Sequence, residues 1–164
     1  MLLRKWDDLP KCMKNNEVKA YYDMLSKKRY SLILKRTFDI FMSFILIIIL
    51  SPLILLIGIW IKYDSKGSVF YRQERITQYG RIFKIYKFRT MVSNADKIGT
   101  LVTTQNDSRI TKVGKKIRRV RLDEIPQLFN ILIGDMSFVG TRPEVKKYVD
   151  KYSDEMFATL LLPA

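Results

Sequence analysis

Between Phe38 and Ile61 the chain reads FDIFMSFILIIILSPLILLIGIWI, a nearly unbroken apolar run with the step Ser51-Pro52 at its middle. At ~1.5 Å rise per residue, a straight helix of this length reaches across the ~30 Å hydrocarbon core of a bilayer. Pro52 has no N–H to offer the carbonyl of Ile48, and its ring crowds that carbonyl, so the helix is expected to bend there. Each arm then reaches only about 16–20 Å. Basic residues flank the run on both sides: Lys27, Lys28, Arg29, Lys35 and Arg36 before it, Lys62, Lys66, Arg72 and Arg75 after it. Positive charge is retained on the cytoplasmic side, so neither flank reads as exported. A re-entrant helix hairpin that enters and leaves through the cytoplasmic face satisfies both the bend and the charges. A kinked transmembrane helix accounts for the residues equally well, and the pattern leaves both open. Ser51 is placed to bond a carbonyl freed at the kink.

Outside the run the patterning changes. Residues 1–37 are mixed, charged and Tyr-bearing, with helical tendency near Val18–Lys28, and read as an amphipathic or partly disordered lead-in at the headgroups. Val69-Phe70-Tyr71 and Ile82–Phe88 carry β-branched and aromatic density, and Tyr79-Gly80 between them predicts a hairpin turn. Ser93–Arg109 reads as loop or short helix. Ile110–Val120 is basic and helix-compatible, Leu122–Ile133 predicts an apolar helix stopped by Gly134, and Tyr148–Leu162 predicts a terminal helix. The expected organisation is therefore a lead-in over 1–37, a membrane helix over 38–62 and a domain over 63–164.

The chain has 164 residues and a formal charge of +14, which calls for an anionic partner or surface. With the apolar run present, lipid headgroups and phosphorylated substrates fit that charge. Nucleic acid is disfavoured, because the basic residues surround a membrane element instead of forming a recognisable reader. Cys12 is the only cysteine and there is no histidine, so an internal disulfide, a thiolate cluster and imidazole chemistry are all excluded. There is no P-loop and no GxGxxG pattern. The apolar run starts too far from Met1 for an ordinary signal peptide and reads as a retained anchor.

The acidic pair Asp123-Glu124 precedes Pro126 in RLDEIPQLFNIL, where proline is tolerated in a first helical turn. Adjacent helical residues point about 100° apart, so one carboxylate is free to attack or accept a proton while the other holds a divalent metal. Ordinary capping accounts for such a pair as well. Lys87, Arg89, Arg118, Arg119, Arg121 and Arg142 supply cations suited to phosphate oxygens, and a solvated surface or contact with lipid headgroups accounts for each of them singly as well. Gly140-Thr141-Arg142-Pro143 reads as a constrained loop presenting Arg142.

Four blocks in order carry a resemblance: KRTFDI leading into Ser51-Pro52, VFYRQERITQYGRIFKIYKFRTM, DSRITKVGKKIRR, and RLDEIPQLFNILIGDMSFVGTRPE. From about Lys35 to the C-terminus the chain resembles the bacterial sugar transferase family, the monotopic phosphoglycosyl transferases. The resemblance implies an α/β catalytic domain, mostly helical with a small β-hairpin, anchored by a re-entrant membrane helix hairpin kinked at Ser51 and Pro52. It implies residence on the cytoplasmic face of the inner membrane. It implies transfer of a sugar 1-phosphate from a UDP-sugar to undecaprenyl phosphate with release of UMP, the first step of exopolysaccharide, capsule or other cell-surface glycan synthesis. By motif, Asp123 would be the nucleophile of a covalent phosphosugar intermediate and Glu124 would help hold Mg²⁺. Lys87, Arg89 and Arg142 fall where the family places basic contacts to the diphosphate or nucleotide. A homo-oligomer or partner glycosyltransferases are further expected associates.

Ser68 and Thr77 stand where relatives often carry proline and glycine, a difference expected to affect loop shape more than chemistry. Family members typically continue past LLLPA, so the domain is expected to be C-terminally truncated. The competing expectation is a catalytically silent membrane-anchored module that binds anionic lipid or a partner glycosyltransferase.

Overall fold

The alternation after residue 69 folds as the hairpin it predicts. In a computed structural model that describes residues 3–95 and 107–164, strand β1 (Phe70–Ile76) pairs antiparallel with β2 (Ile82–Phe88), Phe70 opposite Phe88 and Ile76 opposite Ile82. The turn between them is a 3-10 segment, Gln78–Gly80, in which Tyr79 and Gly80 both adopt positive φ, 59° and 75°. Gly80 takes that conformation without steric cost.

Two strands alone are marginal, and the rest of the chain supplies their support. Helix α1 spans Asn16–Ser26, and helix α2 runs from Arg29 to Asp64, through Pro52, with Ser51 Oγ donating to Ile48 O at 2.8 Å. The serine thus bonds the very carbonyl that Pro52 strands. After β2 come α3 (Lys112–Arg119), a 3-10 turn at Leu122–Glu124, α4 (Gln127–Ile133), the short α5 (Lys146–Val149) and a 3-10 segment at Glu155–Leu161.

Helix α2 has two unlike faces. One, carrying Leu46, Ile47 and Leu50, packs on Phe83, Ile85, Leu128, Ile131 and Met136. Farther along, Ile57 and Ile61 pack with Phe88, Val113 and Ile117, and Ile125 touches both clusters. The opposite face exposes Phe38, Phe41, Phe44, Ile48, Leu55 and Ile59. These recur at spacings of three or four residues, a single helical stripe but for the turn at Pro52. The stripe carries no charge, and an 18-residue window of this helix has mean hydropathy 3.0 with only 11% of it buried.

Four polar residues in the first half of α2, Lys35, Arg36, Asp39 and Ser43, lie on its packed face. Asp39, 1% exposed, accepts from Ser137 Oγ at 2.7 Å and from Phe138 N at 3.3 Å, and pairs with Lys35 at 3.5 Å. Lys35 Nζ also donates to Ser137 Oγ. Arg36 donates to the carbonyls of Ile131 and Leu132 at 2.6 and 2.8 Å, in the last turn of α4, where Ile131 O also accepts from Gly134 N. The KRTFDI block is therefore the joint between α2 and α4 with its following loop.

Several expectations are revised. The expected lead-in does not lie apart from the domain: Leu9, Met13 and Val18 form one buried cluster with Ile76, Val149, Leu160 and Leu161, and α2 already begins at Arg29. Apolar residues spaced for a helix face serve protein packing as readily as lipid. The expected helix over Leu122–Ile133 divides at Ile125-Pro126, because Pro126 starts a new helix as its N-cap. The expected terminal helix is α5 followed by a separate 3-10 segment. Gly134 stops α4 as expected, with φ 94°. Most of the Ser93–Arg109 stretch lies outside the described residues. Thr77 is fully buried and donates to Asp135 O at 2.5 Å, so it ties the turn to the end of α4.

Candidate active site

The acidic pair is delivered by a sharp reversal. Helix α3 is capped by Thr111, whose side chain accepts from Gly114 N, and ends at Arg119; Arg121 then adopts left-handed dihedrals, φ 56° and ψ 21°. A non-glycine residue pays roughly 1–2 kcal/mol for that conformation. The reversal turns the chain into the 3-10 segment carrying Asp123 and Glu124, just ahead of Pro126 and α4. Packing of Leu122 and Ile125 around Phe88 and Ile117 fixes this segment against β2.

Asp123, Lys87, Arg89 and Arg142 come together around one cleft of about 470 Å³, a size suited to a small polar ligand. Glu124 meets the same group from the side, its Oε1 accepting from Lys87 Nζ at 2.9 Å. Ser51 and Pro52 stay on α2 and take no part in the cleft lining. The cleft also contains Gln73, Arg75, Arg109 and Arg118. Of these, Gln73 and Arg109 were not singled out in the sequence. Tyr71, Gln73 and Arg75 alternate onto one face of β1, with Lys87 directly opposite Tyr71, so the two-residue period was the available signal.

The cations differ in what they are free to do. Arg89 is 7% exposed; it donates to the carbonyls of Ser65 and Lys66 at 2.7 and 3.0 Å and to Ser65 Oγ at 2.9 Å. It straps the end of α2 to the end of β2, and its contribution to a ligand is chiefly its charge at the cleft wall. Arg75 binds Gln73 Oε1 and Pro143 O, and so fixes the backbone next to Arg142. Burial lowers the Arg75 pKa, with the Arg142 charge acting in the same direction. Arg142 itself is exposed at the cleft rim.

The two carboxyls are pushed apart. Burial raises the Asp123 pKa above its ordinary value of 3.8; the neighbouring Glu124 adds to this and Lys87 opposes it. Burial acts upward on Glu124 as well, yet the Lys87 hydrogen bond and charge, with Arg121 and Arg142, hold it below its ordinary 4.5. One carboxylate is thus paired and firmly ionised, while the other faces the cleft in a drier setting that favours a less solvated, more reactive oxygen.

Their oxygens are hard donors of the kind Mg²⁺ prefers. Among the described residues no group of three or more His, Cys, Asp or Glu converges. Asp123 and Glu124 would offer Mg²⁺ the one or two carboxylate oxygens this ion commonly takes from a protein, and its other positions would fall to phosphate and water.

Comparison with known proteins places this geometry in context. The sequence model described as "Bacterial sugar transferase" matches residues 30–161. The UDP-N-acetylgalactosamine-undecaprenyl-phosphate N-acetylgalactosaminephosphotransferase of Aeromonas hydrophila is 44% identical over 123 residues, which is 75% of this chain and 29% of that protein. The UDP-glucose:undecaprenyl-phosphate glucose-1-phosphate transferase of Klebsiella pneumoniae is 43% identical over 124 residues, 74% of this chain and 26% of that protein. The exopolysaccharide production protein PSS of Rhizobium leguminosarum bv. phaseoli is 45% identical over 112 residues, 68% of this chain and 56% of that protein. The chain thus spans less than a third of the first two relatives and just over half of the third.

Proposed function

The chain belongs to the bacterial sugar transferase family, and from that premise we propose that it transfers a sugar 1-phosphate from a UDP-sugar to undecaprenyl phosphate. The observation that carries this reading is the half-buried Asp123 in a cationic cleft, beside a Glu124 held ionised by Lys87. In the first step an Asp123 carboxylate oxygen attacks the phosphorus that bears the sugar. The bond from that phosphorus to the bridging oxygen breaks, and UMP leaves with the electron pair. In the second step a phosphate oxygen of the lipid attacks the same phosphorus and displaces the Asp123 carboxylate, returning it unchanged.

A carboxylate approaching a diphosphate meets like charge. Lys87, Arg142 and the charge of Arg89 lower that barrier from fixed positions. Bound Mg²⁺, held by Glu124 with Asp123 nearby, would neutralise phosphate oxygens further. Splitting the transfer at one nucleophile lets a water-soluble donor and a membrane-bound acceptor use the cleft in turn.

The membrane arrangement belongs to the same proposal: α2 enters the bilayer as a re-entrant wedge from the cytoplasmic face of the inner membrane. It is supported by the packing at both ends of α2. Asp39 near its start is bonded to Ser137 and Phe138, and Asp64 at its end accepts from Val113 N at 3.0 Å. Both ends are anchored to one charged body, which favours their lying on the same side. The reaction would start exopolysaccharide, capsule or another surface glycan, with an oligomer or partner glycosyltransferases around it.

The test is direct. With a radiolabelled UDP-sugar, the parent protein is expected to acquire label and release UMP, and Asp123→Asn to do neither. An Asn variant that transfers at the parent rate sinks the assignment of Asp123 as nucleophile.

A further inference from the structure

A second cavity, of about 560 Å³, lies on the C-terminal half of α2, lined by Ile54, Leu55, Gly58, Ile59 and Lys62 of the helix and by Phe70 of β1. Its lining is apolar except at Lys62 and the hydroxyl of Tyr63. Gly58 keeps it open: a Cβ there would stand 3.4 Å from Val69 Cγ1, and any longer side chain would have to extend into the space. Phe70 also lines the cleft that contains Asp123, and it stacks on the buried Phe88 with ring centroids 5.5 Å apart. The apolar groove and the cationic cleft therefore share a wall.

This continuity decides what the groove is suited to hold. A molecule that occupies both compartments needs a hydrocarbon chain for the groove and an anionic head for the cleft. We propose that the groove along Ile54–Lys62 binds the isoprenoid segment next to the phosphate of the lipid acceptor, leading that phosphate past Phe70 to Asp123. The inference rests on the transferase reading above and assigns that reaction a chain-binding subsite. Burying several isoprene carbons there offsets the entropy of positioning a long flexible lipid. Lys62, at the last turn of α2, supplies a cation for the phosphate as it passes.

The experiment uses the full chain in detergent micelles with an undecaprenyl phosphate analogue bearing a diazirine in the isoprene units nearest the phosphate. Illumination is expected to label residues 54–70. Unlabelled undecaprenyl phosphate should compete and phosphatidylglycerol should not. Gly58→Leu and Leu55→Trp fill the groove, the latter from a position 65% exposed, so its folding is not at risk. Both are expected to lose the label and to raise the apparent KM for undecaprenyl phosphate about tenfold, with the labelled adduct formed from UDP-sugar alone unchanged. Label that falls elsewhere, that phosphatidylglycerol displaces equally well, or that survives both substitutions overturns the groove assignment. Absence of the UDP-sugar adduct in the parent, with the prenyl label in place, would instead remove the transferase reading and leave the groove standing.

Discussion

Asp123 works in an environment that disfavours its charge. Its pKa is raised, first by burial, so the ionised group costs stability at neutral pH; that cost disappears as pH falls through the folded pKa. Glu124 is the reverse case: its folded pKa is lowered, so its contribution is present above its ordinary 4.5 and is lost as pH falls through the folded value. Two outcomes follow at this scale. Asp123→Asn, expected to be inactive in transfer, is also expected to melt at a slightly higher temperature than the parent at pH 7, the usual exchange of function for stability; a lower melting temperature would contradict the raised pKa. Lys87→Met removes the charge that opposes burial at Asp123 and the hydrogen bond that holds Glu124. Its acid limb in a pH–rate profile is expected to move to higher pH, with the plateau rate reduced by about 10²-fold. An unmoved acid limb would show that Lys87 does not tune the pair.

At the scale of the elements, the small sheet survives because side chains complete it. β1 covers one edge of β2; on the other, the fully buried Asn130 of α4 accepts from Tyr86 N at 2.9 Å and donates to Lys84 O at 3.0 Å. A single carboxamide thus stands in for a third strand. Asn130→Ala leaves both backbone groups without that partner and is expected to cost about 2–4 kcal/mol in denaturant melts of the solubilised protein; a loss below about 1 kcal/mol would mean that water replaces the side chain. This device was not legible in the sequence, where Asn130 sits inside an apolar helix pattern and nothing marks its distant partners. The hairpin and the end of α4 were legible, since alternation, Tyr79-Gly80 and Gly134 are local signals. The left-handed Arg121 was hidden for the opposite reason: its conformation is imposed by the packing of Leu122 and Ile125, and arginine gives no hint of it. The cleft was half readable. Its acidic pair and Lys87, Arg89 and Arg142 stood out as motif, while the engagement of Arg89 with Ser65 and Lys66 depends on contacts across more than twenty residues of chain.

For the whole molecule the question is how α2 meets the bilayer. Its length, about 54 Å at 1.5 Å per residue, exceeds what a perpendicular crossing needs. A crossing helix would separate its two ends by the membrane, and the body packed on Asp39 and Ser43 would then have to be a different one from that packed on Ile57 and Ile61. Instead the Ser137 loop bonded to Asp39 follows α4 directly, α4 and β2 pack on Leu46, Ile47 and Leu50, and β2 also packs on Ile57 and Ile61 through Phe88. Carrying Asp39 to the far side without the loop at Ser137 would strip its buried carboxylate of the hydrogen bonds from Ser137 Oγ and Phe138 N. The uncharged stripe from Phe38 to Ile59 is what remains for lipid, and inserting that stripe alone requires no end to cross. Tyr30 and Tyr63, 91% and 88% exposed, stand at the two ends of α2. With Cys12 replaced by serine, Tyr30→Cys and Tyr63→Cys are each expected to react with a membrane-impermeant maleimide in inside-out vesicles and to stay unreacted in intact spheroplasts. Reaction of one from each side would mean that α2 spans the bilayer, and the wedge would have to be abandoned.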